Sequence, residues 1–372
     1  MLLGLRHERN GQLTVFDEVA VEGHEQVLYG YDKVSGLKAI IAIHSTALGP
    51  ALGGTRFFPY ESENDALIDA LRLSEGMSYK AAAAGLDLGG GKAVIIGDPR
   101  TDKSEHLFRA YGRIVDSLQG RYITAEDVGT TTKDLDMVRR ETRWALGNSV
   151  AEGGAGDPSP VTARGLHAAA RAVSQFLWGD PDLAGRRFVV QGVGKVGSAF
   201  VQLLVEARAE VLVADAYQPT LDAAVEKFGV QTVDFESVHT VETDFFSPCA
   251  LGAGLNERTI PELDCKAIVG SANNQLATEK DAERIADRGI LYGPDFVVNA
   301  GGLINVYDEL HGYSKLRAMH RVDAIFDATL TILETAKEQG TNPNAAAIHV
   351  ARERMRDIGD LRRFRRSGDD RN

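Results

Sequence analysis

"RRFVVQGVGKVGSAFVQLLVEARAEVLVADAY", residues 186–217, carries the pattern that decides the fold. An apolar run enters Gly192-Val193-Gly194-Lys195-Val196-Gly197 and an amphipathic helical stripe leaves it. A second run then ends at Asp215, 18 residues after the last glycine. Alone, GxGxxG is a weak signal, because glycine-rich turns are common. Strand, glycines, helix and second strand in this order are the pattern of a dinucleotide-binding βαβ unit. Gly192 allows the tight turn, Gly194 lets the backbone approach a pyrophosphate at the helix N-terminus, and Gly197 permits close helix-to-strand packing. The Asp215 carboxylate can accept both ribose hydroxyls and would repel a 2′-phosphate. Ala216, Tyr217 and Gln218 bring no cation to reward one, so the expected cofactor is NAD rather than NADP. The competing role for Asp215 is a strand-end cap.

Downstream, "DFFSPCALG" (244–252), "CKAIVGSANNQL" (265–276) and "RGILYGPDFVVNAGG" (288–302) read as three more short strands with ligand-facing loops at their carboxyl ends, which completes a doubly wound sheet. Upstream, "EGGAGDPSPVTARG" (152–165) concentrates glycine, proline and small polar residues, as a hinge does. Before it the pattern differs. "HEQVLYGYD" and "LKAIIAIHS" suggest strands, the second buried on both faces. "SENDALIDALRLSEGMSYKAAAAG" turns helical, with Ser62 and Asp65 placed as a capping box and Ala66, Leu67, Ala70, Leu71 and Leu73 as the apolar stripe. "KAVIIGDP" and "GRYITAEDVG" read as strands running into polar loops, with the helix "SEHLFRAYGRIVDSL" between them. The fold class expected is α/β with two domains: a mixed α/β substrate domain over 1–150 and a Rossmann-type NAD domain over 151–335. A C-terminal helix and arginine-rich tail over 336–372 complete the chain.

Composition agrees. The 372 residues, 44% hydrophobic and 25% charged, exceed what one core serves. A formal charge of −12 offers no footprint for nucleic acid or an anionic membrane, so the expected partners are small molecules and further copies of the chain. Cys249 and Cys265 sit in apolar runs, as reduced core thiols do, and no Cys/His cluster has metal-ligand spacing, so no metal is expected. With no secretory or membrane-length segment, the reading is cytoplasmic. Eight arginines from Arg352 onward read as a solvated helix end.

"GMSYKAAAAGLDLGGGK" (76–92) sets two lysines, Lys80 and Lys92, in a stretch with almost no side-chain bulk. A nicotinamide dehydrogenase needs a group that takes a proton as hydride leaves the substrate carbon. Lysine can do so when burial and a neighbouring like charge lower its pKa. Lys92, after three glycines, is the candidate base; Lys80 suits a substrate carboxylate, and Asp127 in "TAEDVGT" adds a polar group at a strand mouth. Taken singly, each lysine is more simply a solvated surface charge; Glu126 points away from Asp127, His44 reads as a core histidine, and Met77 as packing.

These motifs together, "GMSYK", "LGGGKAVIIGDP", "GRYITAEDVGT" and "GVGKVG", resemble the glutamate/leucine/phenylalanine/valine dehydrogenase superfamily over most of the chain, closest to its valine and leucine members. The resemblance implies that Lys92 activates the water that attacks the iminium carbon and that Asp127 shuttles protons to and from the amino group. It implies that Lys80, with Gly53 and Gly54, holds the substrate carboxylate beside Met77. Leu52, Ala125, Leu303 and Val306 would form an apolar side-chain pocket, so glutamate is disfavoured. The resemblance also implies that Asn274 and Asn299 lie near the nicotinamide, and Ala250 with the glycine loop near the cofactor. Leu303 stands where leucine-type relatives tend to have valine, and the extra methylene favours valine, a preference of about 1–3 kcal/mol. A second departure is Ala81, where relatives often carry a polar residue.

The expected function is therefore NAD-dependent, reversible oxidative deamination of a branched-chain L-amino acid, valine favoured, in the cleft between the domains of a homo-oligomer. The alternatives are a leucine or phenylalanine dehydrogenase, or a catalytically silent NAD-binding protein.

Overall fold

In the computed structural model, residues 23–147, 153–250 and 252–362 are described. The arginine-rich tail beyond 362, and Glu152 at the start of the expected hinge, lie outside them. Two units emerge: residues 23–78, 87–147 and 358–362 in one, and 79–86, 153–250 and 252–357 in the other.

In the first unit the elements run β1 (Gln26–Asp32), β2 (Leu37–Ser45), β3 (Ala51–Phe58), α1 (Glu63–Ala83), β4 (Gly89–Ile96), α2 (Glu105–Ser117), β5 (Tyr122–Glu126) and α3 (Thr132–Arg139). The strands form one sheet in the order β1-β2-β4-β3-β5. β1, β2 and β4 are antiparallel neighbours, while β3 runs parallel to both β4 and β5. β2 is buried on both faces because successive side chains alternate. Ile41 and Ile43 pack with Leu107, Phe108 and Tyr111 of α2, whereas Ile40 and Ala42 pack with Ala66, Leu67, Ala70 and Leu71 of α1. Ser62 caps α1, taking the backbone N–H of Asp65 at 3.1 Å and donating to its carboxylate at 2.7 Å. Leu73, expected in the stripe, is only half-buried.

Glycines decide the middle of this sheet. The run 89–91 is part of β4, not a loop before it. A Cβ on Gly89 would lie 1.9 Å from the Ser45 carbonyl oxygen, one on Gly90 2.2 Å from the Ser78 backbone nitrogen, and one on Gly91 2.7 Å from the Tyr122 ring. β4 is bare because two strands and α1 press on it. Likewise "ALGGTRFF" is a central strand that glycine's poor strand propensity hides.

The second unit carries α4 (Ser159–Trp178), β6 (Arg187–Gln191), α5 (Lys195–Glu206), β7 (Glu210–Ala214), α6 (Gln218–Phe228), β8 (Gln231–Thr232), β9 (Thr243–Pro248), β10 (Cys265–Ile268), α7 (Lys280–Asp287) and β11 (Leu291–Tyr292). α8 (Asp295–Val298), α9 (Gly301–Asp308), α10 (Lys315–Asp323), α11 (Ile325–Gln339) and α12 (Pro343–Arg362) follow. Its six strands are all parallel in the order β11-β10-β9-β6-β7-β8. This is the doubly wound arrangement, and the winding reverses between β6 and β9, where such sheets bind ligands. In "RGILYGPDFVVNAGG" the expected strand is β11, and the segment at its carboxyl end, expected as a loop, is α8 and the start of α9: Gly293-Pro294 ends β11, and the Asp295 carboxylate accepts the Phe296 N–H at 2.8 Å. The C-terminal helix packs back, with Ala346 and Ala347 against Ala83 and Val297, so "KAAAA" is small to admit neighbouring helices. Among the described residues, no helix is long and apolar enough to cross a membrane.

Candidate active site

Register places the first unit's polar groups. Lys92 lies opposite Ala42, and its neighbours of equal parity, Gly90 and Val94, face α1. Arg56 pairs with Val94 and Gly54 with Ala125, so Leu52, Gly54, Arg56 and Ala125 share that face. Two residues beyond Ala125, Asp127 returns to it. Glu126 points to the other side, where its carboxylate accepts the Thr132 hydroxyl at 2.9 Å.

Lys92 Nζ donates to Asp127 Oδ2 at 2.6 Å, and the lysine is 6% exposed. Burial pushes the Lys92 ammonium below its ordinary pKa; Asp127 pulls it back up, and the Arg56 guanidinium opposes it. Burial alone would raise Asp127, but Lys92 and then Arg56 outweigh it and hold the carboxyl below its usual range. Arg56 Nε reaches the same Oδ2 at 3.3 Å. The sequence reading missed Arg56; the signal was its place two residues after Gly54 on a strand whose even positions carry the site. Gly53 and Gly54 are bare for packing reasons, since Cβ atoms there would lie 1.6 Å from the Gly91 carbonyl oxygen and 2.6 Å from that of Glu126. Leu52 is buried and Met77 half-buried. His44 is a buried, bonded histidine, its Nδ1 2.7 Å from the Ser78 hydroxyl.

In the second unit, Lys80 Nζ donates to Asn299 Oδ1 at 2.6 Å and to Asn273 Oδ1 at 3.4 Å. Asn299 Nδ2 donates in turn to Asn273 Oδ1 at 3.0 Å and to the Ser271 carbonyl at 3.2 Å. Asn273, next to the expected Asn274, is the asparagine the sequence reading passed over. Asn274 has φ 52°, a left-handed backbone rare outside glycine, though asparagine tolerates it best. Asp295 supports this loop by accepting the Gln275 N–H at 3.2 Å. Burial raises its carboxyl above the usual range, against the pull of that N–H and of Lys80. Leu303 is buried and Val306 half-buried, three residues apart on one face of α9.

The glycine loop fits a dinucleotide. Gly192 has φ 96°, and a Cβ on it would lie 2.8 Å from Ala250; a Cβ on Gly197 would lie 2.0 Å from the Gly192 carbonyl oxygen; Gly194 has nothing within 4 Å of its Cβ direction, leaving room for a pyrophosphate. Lys195 and Val196 begin α5, whose N-terminus faces that space. Asp215 accepts the Val193 N–H and the Tyr217 N–H, both at 2.8 Å, one on each oxygen. It is therefore a strand-end cap that still has a free lone pair per oxygen for ribose hydroxyls.

Residues 20–144 match the model of the Glu/Leu/Phe/Val dehydrogenase dimerisation domain, and residues 213–362 that of Glutamate/Leucine/Phenylalanine/Valine dehydrogenase. A leucine dehydrogenase of Thermoactinomyces intermedius is 50% identical over 92% of this chain and 94% of its own. A valine dehydrogenase of Streptomyces coelicolor is 53% identical over 90% and 92%. The solved L-tryptophan dehydrogenase of Nostoc punctiforme matches with TM-score 0.85 and 43% identity, over 93% of this chain and 99% of that one.

Proposed function

The chain belongs to the glutamate/leucine/phenylalanine/valine dehydrogenase family, and from that premise we propose that it deaminates a branched-chain L-amino acid reversibly to the 2-oxo acid and ammonia, with NAD as oxidant. The observation that carries this reading is the buried Lys92 ammonium held 2.6 Å from a carboxylate. The nicotinamide supplies a hydride acceptor. The protein supplies the rest. Lys80 takes the substrate carboxylate, its Nζ already oriented by Asn299. Asp127 moves a proton at the amino nitrogen, and neutral Lys92 removes one from the water that adds to the iminium carbon. Leu52 and Ala125 in the first unit, and Leu303 and Val306 in the second, the positions that the family resemblance gives to the substrate side chain, carry no charge, which favours aliphatic substrates.

NAD over NADP follows from Asp215, whose carboxylate would repel a 2′-phosphate. Valine over leucine rests on the extra methylene of Leu303 and is worth about 1–3 kcal/mol. The match to a dimerisation domain supports a homo-oligomer. Initial rates of NADH formation with L-valine, L-leucine and L-phenylalanine test the proposal. Valine ahead of leucine is expected; NAD binding without turnover of any of the three overturns it in favour of a silent binding protein.

A further inference from the structure

Four charges alternate along the α1 face of the first unit. Asp127 Oδ2 accepts from Lys92 Nζ at 2.6 Å and from Arg56 Nε at 3.3 Å. Arg56 turns its Nη1 to Asp69 Oδ2 at 2.8 Å, and that same oxygen accepts the Tyr60 hydroxyl at 2.6 Å. Asp69 Oδ1 faces Arg72 at 3.4 Å. Solvent barely dilutes the row: side-chain exposures are 7% for Lys92, 14% for Asp69, 22% for Arg56 and 25% for Asp127. The planar fork of a guanidinium can hold two carboxylates at once in fixed directions; an ammonium cannot.

We propose that Arg56 is a positioning residue of the catalytic pair: anchored by Asp69 and Tyr60, it keeps Asp127 anionic and oriented after Lys92 gives up its proton. The proposal rests on the deaminase reading above. When Lys92 is protonated, Asp127 has two cations on Oδ2. When Lys92 becomes neutral, its proton having left to solvent, Arg56 remains. Asp127 and Asp69 hold Arg56 in its charged form against the effect of burial. Without Arg56, the same deprotonation strands a mostly buried carboxylate beside a neutral amine, which costs free energy, so the pair retains the proton. Both cations sit on Oδ2. The charged groups facing Lys92 are Asp127 after β5, Arg56 on β3 and Asp69 on α1.

The test is the pH profile of kcat/KM for L-valine deamination in Arg56→Gln, Arg56→Lys and Tyr60→Phe, with NADH binding followed by fluorescence. In Arg56→Gln the ascending limb moves to higher pH by about one unit or more, with NADH binding unchanged. Arg56→Lys recovers part of that displacement, and Tyr60→Phe, which keeps every charge, shows a smaller one in the same direction. Loss of rate with an unmoved limb in Arg56→Gln marks a merely structural role and overturns the proposal. If Arg56→Gln does not fold, unmoved limbs in both Arg56→Lys and Tyr60→Phe overturn it equally. A wild-type protein that turns over no amino acid refutes the deaminase reading itself, a different result from an active enzyme whose limb ignores residue 56.

Discussion

Lys92 and Asp127 meet at 2.6 Å although 35 residues separate them, because β4 and the loop after β5 end their polar positions on the same face of one sheet. Removing the amine removes the group proposed to take the proton. Lys92→Ala is expected to lower kcat by about 10²–10⁴-fold. Cofactor binding, measured by NADH fluorescence, should survive; near-normal turnover would rule Lys92 out as the base.

Burial lowers the pKa of Lys92, and as the proposed base it works only when neutral. Thus kcat/KM should rise with pH through a midpoint below the ordinary lysine value of about 10.4. Asp127, held low, is ionised throughout that range and adds no limb. The stability signs differ. Lys92 costs stability while both states are protonated, and the cost fades as pH climbs from its lowered folded pKa towards the unfolded value. The contribution of Asp127 is in place above the ordinary carboxylate value and is lost as pH falls through its lowered folded pKa. A rate profile flat from neutral pH upward contradicts the assignment.

Asp215 caps a strand end, and substitution can separate that job from the ribose role proposed for it. Asp215→Asn keeps a side-chain oxygen for the Val193 N–H but drops the charge. The ratio of kcat/KM with NAD to that with NADP should fall about tenfold, equivalent to about 1.4 kcal/mol. Asp215→Ala also leaves that N–H without its acceptor and should lower unfolding stability by about 1–3 kcal/mol. An unchanged cofactor ratio in both variants would remove Asp215 from discrimination.

Two glycines of the same loop should respond in opposite ways. At Gly197 a Cβ would lie 2.0 Å from a carbonyl oxygen, so Gly197→Ala is expected to cost about 3 kcal/mol or more in a denaturant titration. Gly194 has open space and a negative φ of −63°, so Gly194→Ala should change stability by less than about 0.5 kcal/mol. Its effect belongs in cofactor affinity, a loss of about tenfold or more by titration. Equal stabilities for the two variants would contradict this division.

Leu303→Val removes one buried methylene from α9. The leucine-to-valine ratio of kcat/KM should rise by about 10–200-fold, the worth of a methylene in an apolar pocket. A ratio that does not move places residue 303 away from the substrate side chain.

What the sequence disclosed depended on range. The glycine loop, its helix and Asp215 lie within about thirty residues, and each local signal reports a local constraint, so the dinucleotide unit was legible. Arg56 was not: its partners stand 13 and 71 residues away, and it takes the parallel pairing of β3 with β5 and the packing of α1 on the sheet to bring them together. β3 itself was obscured by Gly53 and Gly54, residues that strands usually avoid and that here answer the crowding of β4 and β5. The helical turn "DFVV" after β11 was hidden too, since four apolar or acidic residues do not set a helix apart from the loop expected there.

The bare strands also limit how this catalyst can be re-engineered. At positions 53, 54 and 90 not even a methyl group fits, so libraries aimed at bulkier amino acids would spend those codons on unfolded variants. Useful diversity has to be drawn from the positions proposed to meet the substrate side chain, Ala125, Leu303 and Val306, where side chains already exist to be exchanged.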